Sequence, residues 1–327
     1  MIIGRRPRVL LTDHAWPGVE VEAGLCDAAG FDLVEAPPGA TEDVLAGLAA
    51  DAAGILTCWA QVTAKVIAAS PALRVVSRMG IGLDNIDLAA AAARPVVVTR
   101  VPDYCVEEVS DHVVGLLHAW ARCIVSADRD VRAGITDPGR YAPRRVSSLV
   151  TGVWGLGPTG RRTAEKLVTL AGEAYGGRVL ADDRHPELAP AGVRTVPADV
   201  LLAECDVVSL HLPLTPATRG LIDAGRLARM KPGALLVNTS RGALVDIAAL
   251  VAALDAGTPG AAALDVFPAE PEVPAALRPR PDVILTPHIA FSSAHSVLEL
   301  RRRSTEDLLR VLAGRPPHDP VTLPPVF

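Results

Sequence analysis

Residues 149–160 constrain this chain more than any other stretch. Leu149-Val150-Thr151-Gly152-Val153-Trp154 reads as a strand and runs into Gly155-Leu156-Gly157-Pro158-Thr159-Gly160, after which 161–170 has a helical pattern. A GxGxxG between a strand and a helix is the fingerprint of a dinucleotide-binding βαβ unit. The first glycine permits the tight turn, the second lets backbone approach a pyrophosphate, and the third lets the helix pack on the strand. The helix N-terminus then offers amide donors and a positive dipole to the anion. Gly155, Gly157, Pro158, Thr159 and Gly160 are therefore candidate cofactor residues. Pro158 has no N–H, so one donor is missing, although its fixed φ suits a first helical turn.

The next strand, 178–181, ends at Asp182-Asp183. A carboxylate there can bind both adenosine-ribose hydroxyls and repel a 2′-phosphate, which favours NAD. Asp183 is the chosen ribose ligand, and Arg184 beside it leaves NADP open. The connection 171–177 is long, placing Asp183 23 residues after Gly160.

Around this unit the chain alternates strand and helix. Strand patterns occupy 8–12, 31–35, 54–57, 75–77 and 96–99, with alanine-rich amphipathic stretches such as 63–69 between them. That alternation predicts βαβ units on parallel sheets. A long helical pattern follows over 105–126, then a loop rich in Gly, Pro and Arg (134–145), and near the end a helix over 294–312 with a proline-rich tail. The expected fold class is α/β, with two doubly wound parallel-sheet domains. A Rossmann-type nucleotide domain (103–291) is inserted into a flavodoxin-like substrate domain (1–102 and 292–327).

At 327 residues there is ample chain for two cores. A net charge of −5 gives no support for nucleic acid or an anionic membrane as partner. Arg301-Arg302-Arg303 lies among Glu299, Glu306 and Asp307, which predicts a solvated helix face. Five scattered cysteines without a CxxC fit a reducing cytoplasm and argue against a metal site. No long apolar run is present, and Met1–Arg6 lacks the apolar core of a leader.

Three strand-like runs in the second half each end in a polar residue. They are 234–238 before Arg241, 261–266 before Glu270, and 283–286 before His288. In open α/β sheets ligands gather at the carboxyl ends of strands. Arginine can grip a carboxylate bidentately and polarise a neighbouring oxygen. Histidine can take and return a hydroxyl proton near neutrality. A glutamate bonded to that histidine fixes its tautomer and favours the imidazolium. Together they suit oxidation of a 2-hydroxyacid, or its reverse, with hydride passing directly to or from a nicotinamide.

NTSRGALVD (238–246), ALDVFPAEP (263–271) and LTPHIA (285–290) closely resemble the catalytic motifs of the D-isomer-specific 2-hydroxyacid dehydrogenases. GLGPTG (155–160) and HLPLTPATRGLID (211–223) resemble that family's cofactor motifs, and SRMGIGLDNID (77–87) and VPDYCVEEVSDH (101–112) its substrate loop and hinge helix. The resemblance covers essentially the whole chain. It implies that Arg241 binds substrate, Glu270 supports the base and His288 is the acid/base. Amides around Gly80, Ile81 and Gly82 would hold the substrate carboxylate. Asp265 would bond the nicotinamide carboxamide, and His211, Pro213 and Thr239 would line the cofactor cleft, though His211 and Thr239 suit local backbone bonding equally. Glu108 and His112 are expected to be structural. The family is typically a homodimer built through its nucleotide domains.

Departures from the family pattern narrow the expectation. Its phosphoglycerate dehydrogenases carry Arg and Lys where Thr57 and Gln61 stand here, and the chain stops before the place of their regulatory domain. Phosphite dehydrogenases have Lys at the position of Ile81, and formate dehydrogenases have Gln at that of Glu270. Phe291-Ser292-Ser293 resembles the branch containing the C-terminal binding protein corepressors. Trp59 and Phe291 are thus candidates to line an apolar pocket for a larger 2-oxoacid. A second reading from that branch is an NAD(H)-responsive regulatory protein with little turnover.

Overall fold

The computed structural model describes residues 6–322. The leader reading at residues 1–5 and the end of the proline-rich tail, 323–327, lie outside them. The described chain forms two compact units, one of residues 6–104 with 293–322 and one of 105–292.

The first unit is a five-stranded parallel sheet made of β1 (Arg8–Leu11), β2 (Asp32–Glu35), β3 (Ala52–Thr57), β4 (Val75–Arg78) and β5 (Val97–Thr99), in the order β2-β1-β3-β4-β5. This is the flavodoxin-like winding. β3 and β4 are almost wholly buried, which explains their continuous apolar runs. One face is covered by the last helix, Ala294–Leu312, started by a reciprocal Ser293–Ser296 capping box. Gly54 admits Leu308 so closely that a Cβ would lie 3.1 Å from it, and Ser77 Oγ donates to Ser304 O at 2.8 Å.

The arginine triplet on this helix departs from the solvated face expected of it. Arg301 is turned inward and pairs at 2.7 Å with Glu22, whose side chain is fully buried. Arg302 stays exposed beside Glu306, and Arg303 is shared by Asp103, Glu299 and Asp319. Successive helical residues point about 100° apart, so three in a row cannot share one environment.

The second unit is a seven-stranded parallel sheet. Its strands are β6 (Val150–Trp154), β7 (Arg178–Asp182), β8 (Val193–Thr195), β9 (Val207–Leu210), β10 (Leu235–Asn238), β11 (Ala261–Leu264) and β12 (Val283–Leu285), ordered β12-β11-β10-β9-β6-β7-β8. The chain winds outward from β6 to β8, then returns to pair β9 with β6 and winds the other way. That reversal is the Rossmann switch point, where a crevice opens at the carboxyl ends of the strands. Alternate residues feed two cores: Leu180, Leu210, Leu236 and Leu264 on one face, and Val153, Val179, Val207 and Val237 on the other. Each buried aliphatic side chain contributes roughly 1.5–3 kcal/mol.

The helical stretch expected over 105–126 is two helices, Val106–Ala121 and Ile124–Arg132. Cys123 breaks them with φ 57°, a left-handed conformation that a sequence without Gly or Pro there does not announce. The second helix buries none of its residues and leaves Ile124, Val125 and Val131 about half exposed. Within 171–177 a 3-10 turn, Glu173–Tyr175, takes up the extra length, and Gly172 N–H donates to Ser147 O at 2.9 Å.

Candidate active site

Gly155 turns the chain at φ 105°, and a Cβ on Gly160 would sit 1.9 Å from Gly155 O, so both positions demand glycine. Nothing lies within 4 Å of a Cβ built on Gly157. The helix Pro158–Leu170 begins at Pro158, three residues earlier than its pattern suggested. It has Gly157 as its N-cap and no side chain capping it. Open space facing an uncapped helix start suits an anion such as a pyrophosphate, so the dinucleotide fits here.

Asp183 ties the loop down. Leu156 N–H donates to its Oδ2 at 2.5 Å, and His185 N–H to its Oδ1 at 2.8 Å. Burial, and then the charge of Asp183, raise the pKa of neighbouring Asp182. Arg184 is exposed.

His211 follows β9, and its backbone N–H bonds Trp154 O at 2.7 Å across the switch point. Its Nε2 meets Ser209 Oγ at 2.9 Å. Burial of the ring pushes its pKa down to about 4, although one edge of the residue reaches solvent, so it is neutral at physiological pH. Pro213 is exposed, and its carbonyl accepts from Thr218 Oγ1 at 2.7 Å. Thr239 Oγ1 is buried without a hydrogen-bond partner. A hydroxyl enclosed and unbonded is costly, and a bound ligand would supply the missing partner.

β10, β11 and β12 are neighbours, so the residues after them share one sheet edge. Past β10, Asn238 Nδ2 donates to Arg241 O at 2.9 Å, Ser240 N–H donates to Asn238 Oδ1 at 3.0 Å, and Ser240 Oγ donates to Leu210 O at 2.6 Å. The backbone that presents Arg241 is thereby fixed. Past β11, Glu270 Oε1 accepts from Phe267 N–H at 2.9 Å, and Oε2 lies 2.6 Å from His288 Nδ1. Burial opposes ionisation of Glu270. Hydrogen bonds from His288 and Phe267, with the charges of His288 and Arg241, outweigh it and hold the carboxyl below its ordinary range.

His288 has φ 55°, a strain of about 1–3 kcal/mol for a non-glycine residue. Asp265 helps hold it there. This carboxylate is fully buried and accepts from Thr286 Oγ1 at 2.6 Å and from the Ile289 and Ala290 amides at 3.0 Å each, while its carbonyl accepts from His288 N–H at 2.8 Å. Thr286 in turn meets His112 Nε2 at 3.1 Å. Since the threonine proton goes to Asp265, His112 is the donor in that bond. Thr286 escaped the sequence reading, and His112 entered it only as a structural residue. Their spacing along the chain gives no hint of contact, but Thr286 is two residues from His288 in LTPHIA.

Phe291 sets its ring edge-on to His288, with centroids 6.0 Å apart. Trp59, in the first unit, is 37% exposed. Gly80, with φ 153°, Ile81 and Gly82 follow β4 in that unit. Among the described residues no group of three or more His, Cys, Asp or Glu is arranged for a metal ion.

Residues 114–290 match the NAD binding domain of D-isomer specific 2-hydroxyacid dehydrogenase. D-3-phosphoglycerate dehydrogenase of Mycobacterium tuberculosis is 36% identical over 313 residues, covering 94% of this chain and 57% of its own length. The chain thus spans about half the length of the curated phosphoglycerate dehydrogenases it matches. Glyoxylate reductase of Aeropyrum pernix is 33% identical over 326 residues, 96% of this chain and 95% of that one. Among solved structures, an NADPH-dependent glyoxylate/hydroxypyruvate reductase from Sinorhizobium meliloti, in complex with NADP and malonate, is 30% identical with a TM-score of 0.83, covering 97% of each chain. With the two sheet orders and the edge of β10 to β12, these matches lead to one conclusion: the chain belongs to the D-isomer specific 2-hydroxyacid dehydrogenase family.

Proposed function

We propose that the chain interconverts a 2-oxoacid and a D-2-hydroxyacid with NAD(H), and that Arg241, Glu270 and His288 carry the chemistry. The bond between His288 Nδ1 and Glu270 is the observation on which the reading rests. An ionised Glu270 takes the Nδ1 proton as acceptor, so Nε2 is the nitrogen that exchanges a proton with the substrate oxygen. In reduction His288 protonates the 2-oxygen, and in oxidation it removes that proton. Arg241 grips the carboxylate and polarises the 2-oxygen, and the amides of Gly80, Ile81 and Gly82 bind the carboxylate. The nicotinamide, when bound, supplies or accepts hydride at C2. Gly155, Gly157, Thr159 and Gly160 would hold the pyrophosphate, Asp183 the ribose, and Asp265 the carboxamide, with His211, Pro213 and Thr239 beside them. Pro158 starts the helix without adding a donor.

The reductase names of relatives matched over nearly their whole length favour turnover over a purely regulatory role. The decisive assay is NADH oxidation against glyoxylate, hydroxypyruvate, pyruvate and branched 2-oxoacids. His288→Ala should lower kcat on the order of a hundredfold to ten-thousandfold while NADH binding by calorimetry persists. A variant that keeps most of its kcat would remove His288 from the mechanism. We also propose a cytoplasmic homodimer assembled through the 105–292 units. All five cysteines are free thiols, and no described helix is long and apolar enough to cross a membrane.

A further inference from the structure

The carboxyl ends of β1, β3 and β4, which are adjacent in the first sheet, bring three segments together. These are Asp13 after β1, the loop Cys58-Trp59-Ala60-Gln61 after β3, and Gly80-Ile81-Gly82 after β4. Thr12 N–H donates to Leu56 O at 3.0 Å and Met79 N–H to Thr57 O at 2.8 Å, so the three ends are in register.

Three successive amides of the middle loop point at one carboxylate. Cys58 N–H donates to Asp13 Oδ1 at 2.9 Å, and Trp59 and Ala60 N–H donate to Oδ2 at 2.7 and 3.1 Å. Consecutive amides converging in this way form an anion-binding concavity. Here the anion is internal. Thr12 Oγ1 gives Asp13 a fourth bond at 2.7 Å.

The carbonyl side of the loop is held as well. Buried Asn85 donates from Nδ2 to Ala60 O at 2.9 Å and Cys58 O at 3.3 Å, and Thr57 Oγ1 donates to Ala60 O at 3.0 Å. The backbone under Trp59 is therefore set before any ligand arrives.

Charge points the same way. Thr57 and Gln61 carry none, and Asp84 adds an exposed carboxylate close by in sequence. Arg78 is buried against Gly80, where a Cβ would meet its Nη1 at 2.5 Å, and it donates to Met79 O. It belongs with the segment assigned to the single substrate carboxylate. A second anionic group next to Trp59 would find the loop amides already bonded to the Asp13 carboxylate, with that negative charge behind them.

We propose that this loop restricts the enzyme to 2-oxoacids with one carboxylate and an uncharged, apolar side chain, with Asp13 and Asn85 as the positioning residues that enforce it. This rests on the reading above that the first unit binds the substrate. It places phosphorylated and dicarboxylic 2-oxoacids outside the substrate range.

The test is a comparison of kcat/KM, with NADH, for 4-methyl-2-oxopentanoate and phenylpyruvate against 2-oxoglutarate, oxaloacetate and phosphohydroxypyruvate. The wild-type enzyme should favour the first pair at least about 100-fold, because like charges set side by side are strongly disfavoured. Asp13→Asn, checked for folding by its thermal melt, should narrow that ratio about tenfold or more. Gln61→Arg changes an exposed position that none of these bonds uses, and it should raise kcat/KM for the dianions. Equal or greater activity of the wild type on dianions would overturn the proposal alone. So would an unchanged ratio in folded Asp13→Asn. No turnover with either class would overturn the dehydrogenase reading, and the proposal with it.

Discussion

At the scale of single residues, the site pairs a buried carboxylate, Asp265, with a partly exposed pair, His288 and Glu270. Glu270 has a folded-state pKa below its ordinary 4.5, since partners that favour its anion outweigh burial. The unfolded chain therefore binds the proton more readily. Stability from this group is complete above about 4.5 and is lost as pH falls through the lower folded value. Denaturant titrations from pH 6 to pH 3 should show wild type and Glu270→Gln converging as the pH drops. A gap that stays constant would mean that the carboxylate is not held as described. Thr286→Val removes one donor from fully buried Asp265 and should cost about 1–3 kcal/mol of stability and lower kcat, read by melting and by turnover. The placement of Arg241, Glu270 and His288 at one sheet edge was legible because each follows a strand run. The bonds among Asp265, Thr286 and His112 were not, because contact across 174 residues leaves no periodic trace. Asp183 was read as a ribose ligand, while its grip on Leu156 N–H needed coordinates. A short carboxylate after a strand says nothing of which amide it will find.

At the scale of elements, most strands announced themselves through their apolar runs, whereas the sequence pattern gives no range for β8, β9 or helices such as Ile247–Asp255. One helical pattern also misled, where backbone departs from what its residue types suggest. Cys123 takes a left-handed conformation usually reserved for glycine, so a helical pattern that looked continuous is two helices. Cys123→Gly should relieve about 1–2 kcal/mol of strain and return roughly half of it in unfolded-chain entropy. A net gain below about 1 kcal/mol in chemical denaturation is expected, and a clear loss would contradict the strain. Pro158 illustrates the reverse case. Its ring suits the first turn it occupies, and its missing amide is felt only by a ligand. Pro158→Ala should leave stability within about 1 kcal/mol and tighten NADH binding severalfold, measured by calorimetry. Unchanged affinity would show that an amide at that position does not face the cofactor.

At the scale of the whole molecule, the strand orders needed coordinates, but the parallel pairing of both sheets follows from strand–helix alternation, which is why the α/β class could be read from the chain. The patch of Ile124, Val125 and Val131 could not, since it needs the break at Cys123 to turn those side chains outward. If the homodimer forms there, light scattering should give the mass of two chains. Ile124→Asp with Val131→Asp should then give the mass of one with its melt preserved. A wild-type protein that is monomeric at micromolar concentration would overturn this assembly.

The last helix covers β3 and β4, the strands whose Gly54 and Ser77 meet Leu308 and Ser304. During synthesis those strands leave the ribosome more than two hundred residues before their cover does. The entire nucleotide unit is made in that interval, so its sheet can close while the first one stands with an apolar face uncovered. The first unit is begun before the second and finished after it, and a nascent chain halted near residue 290 would present that face to chaperones.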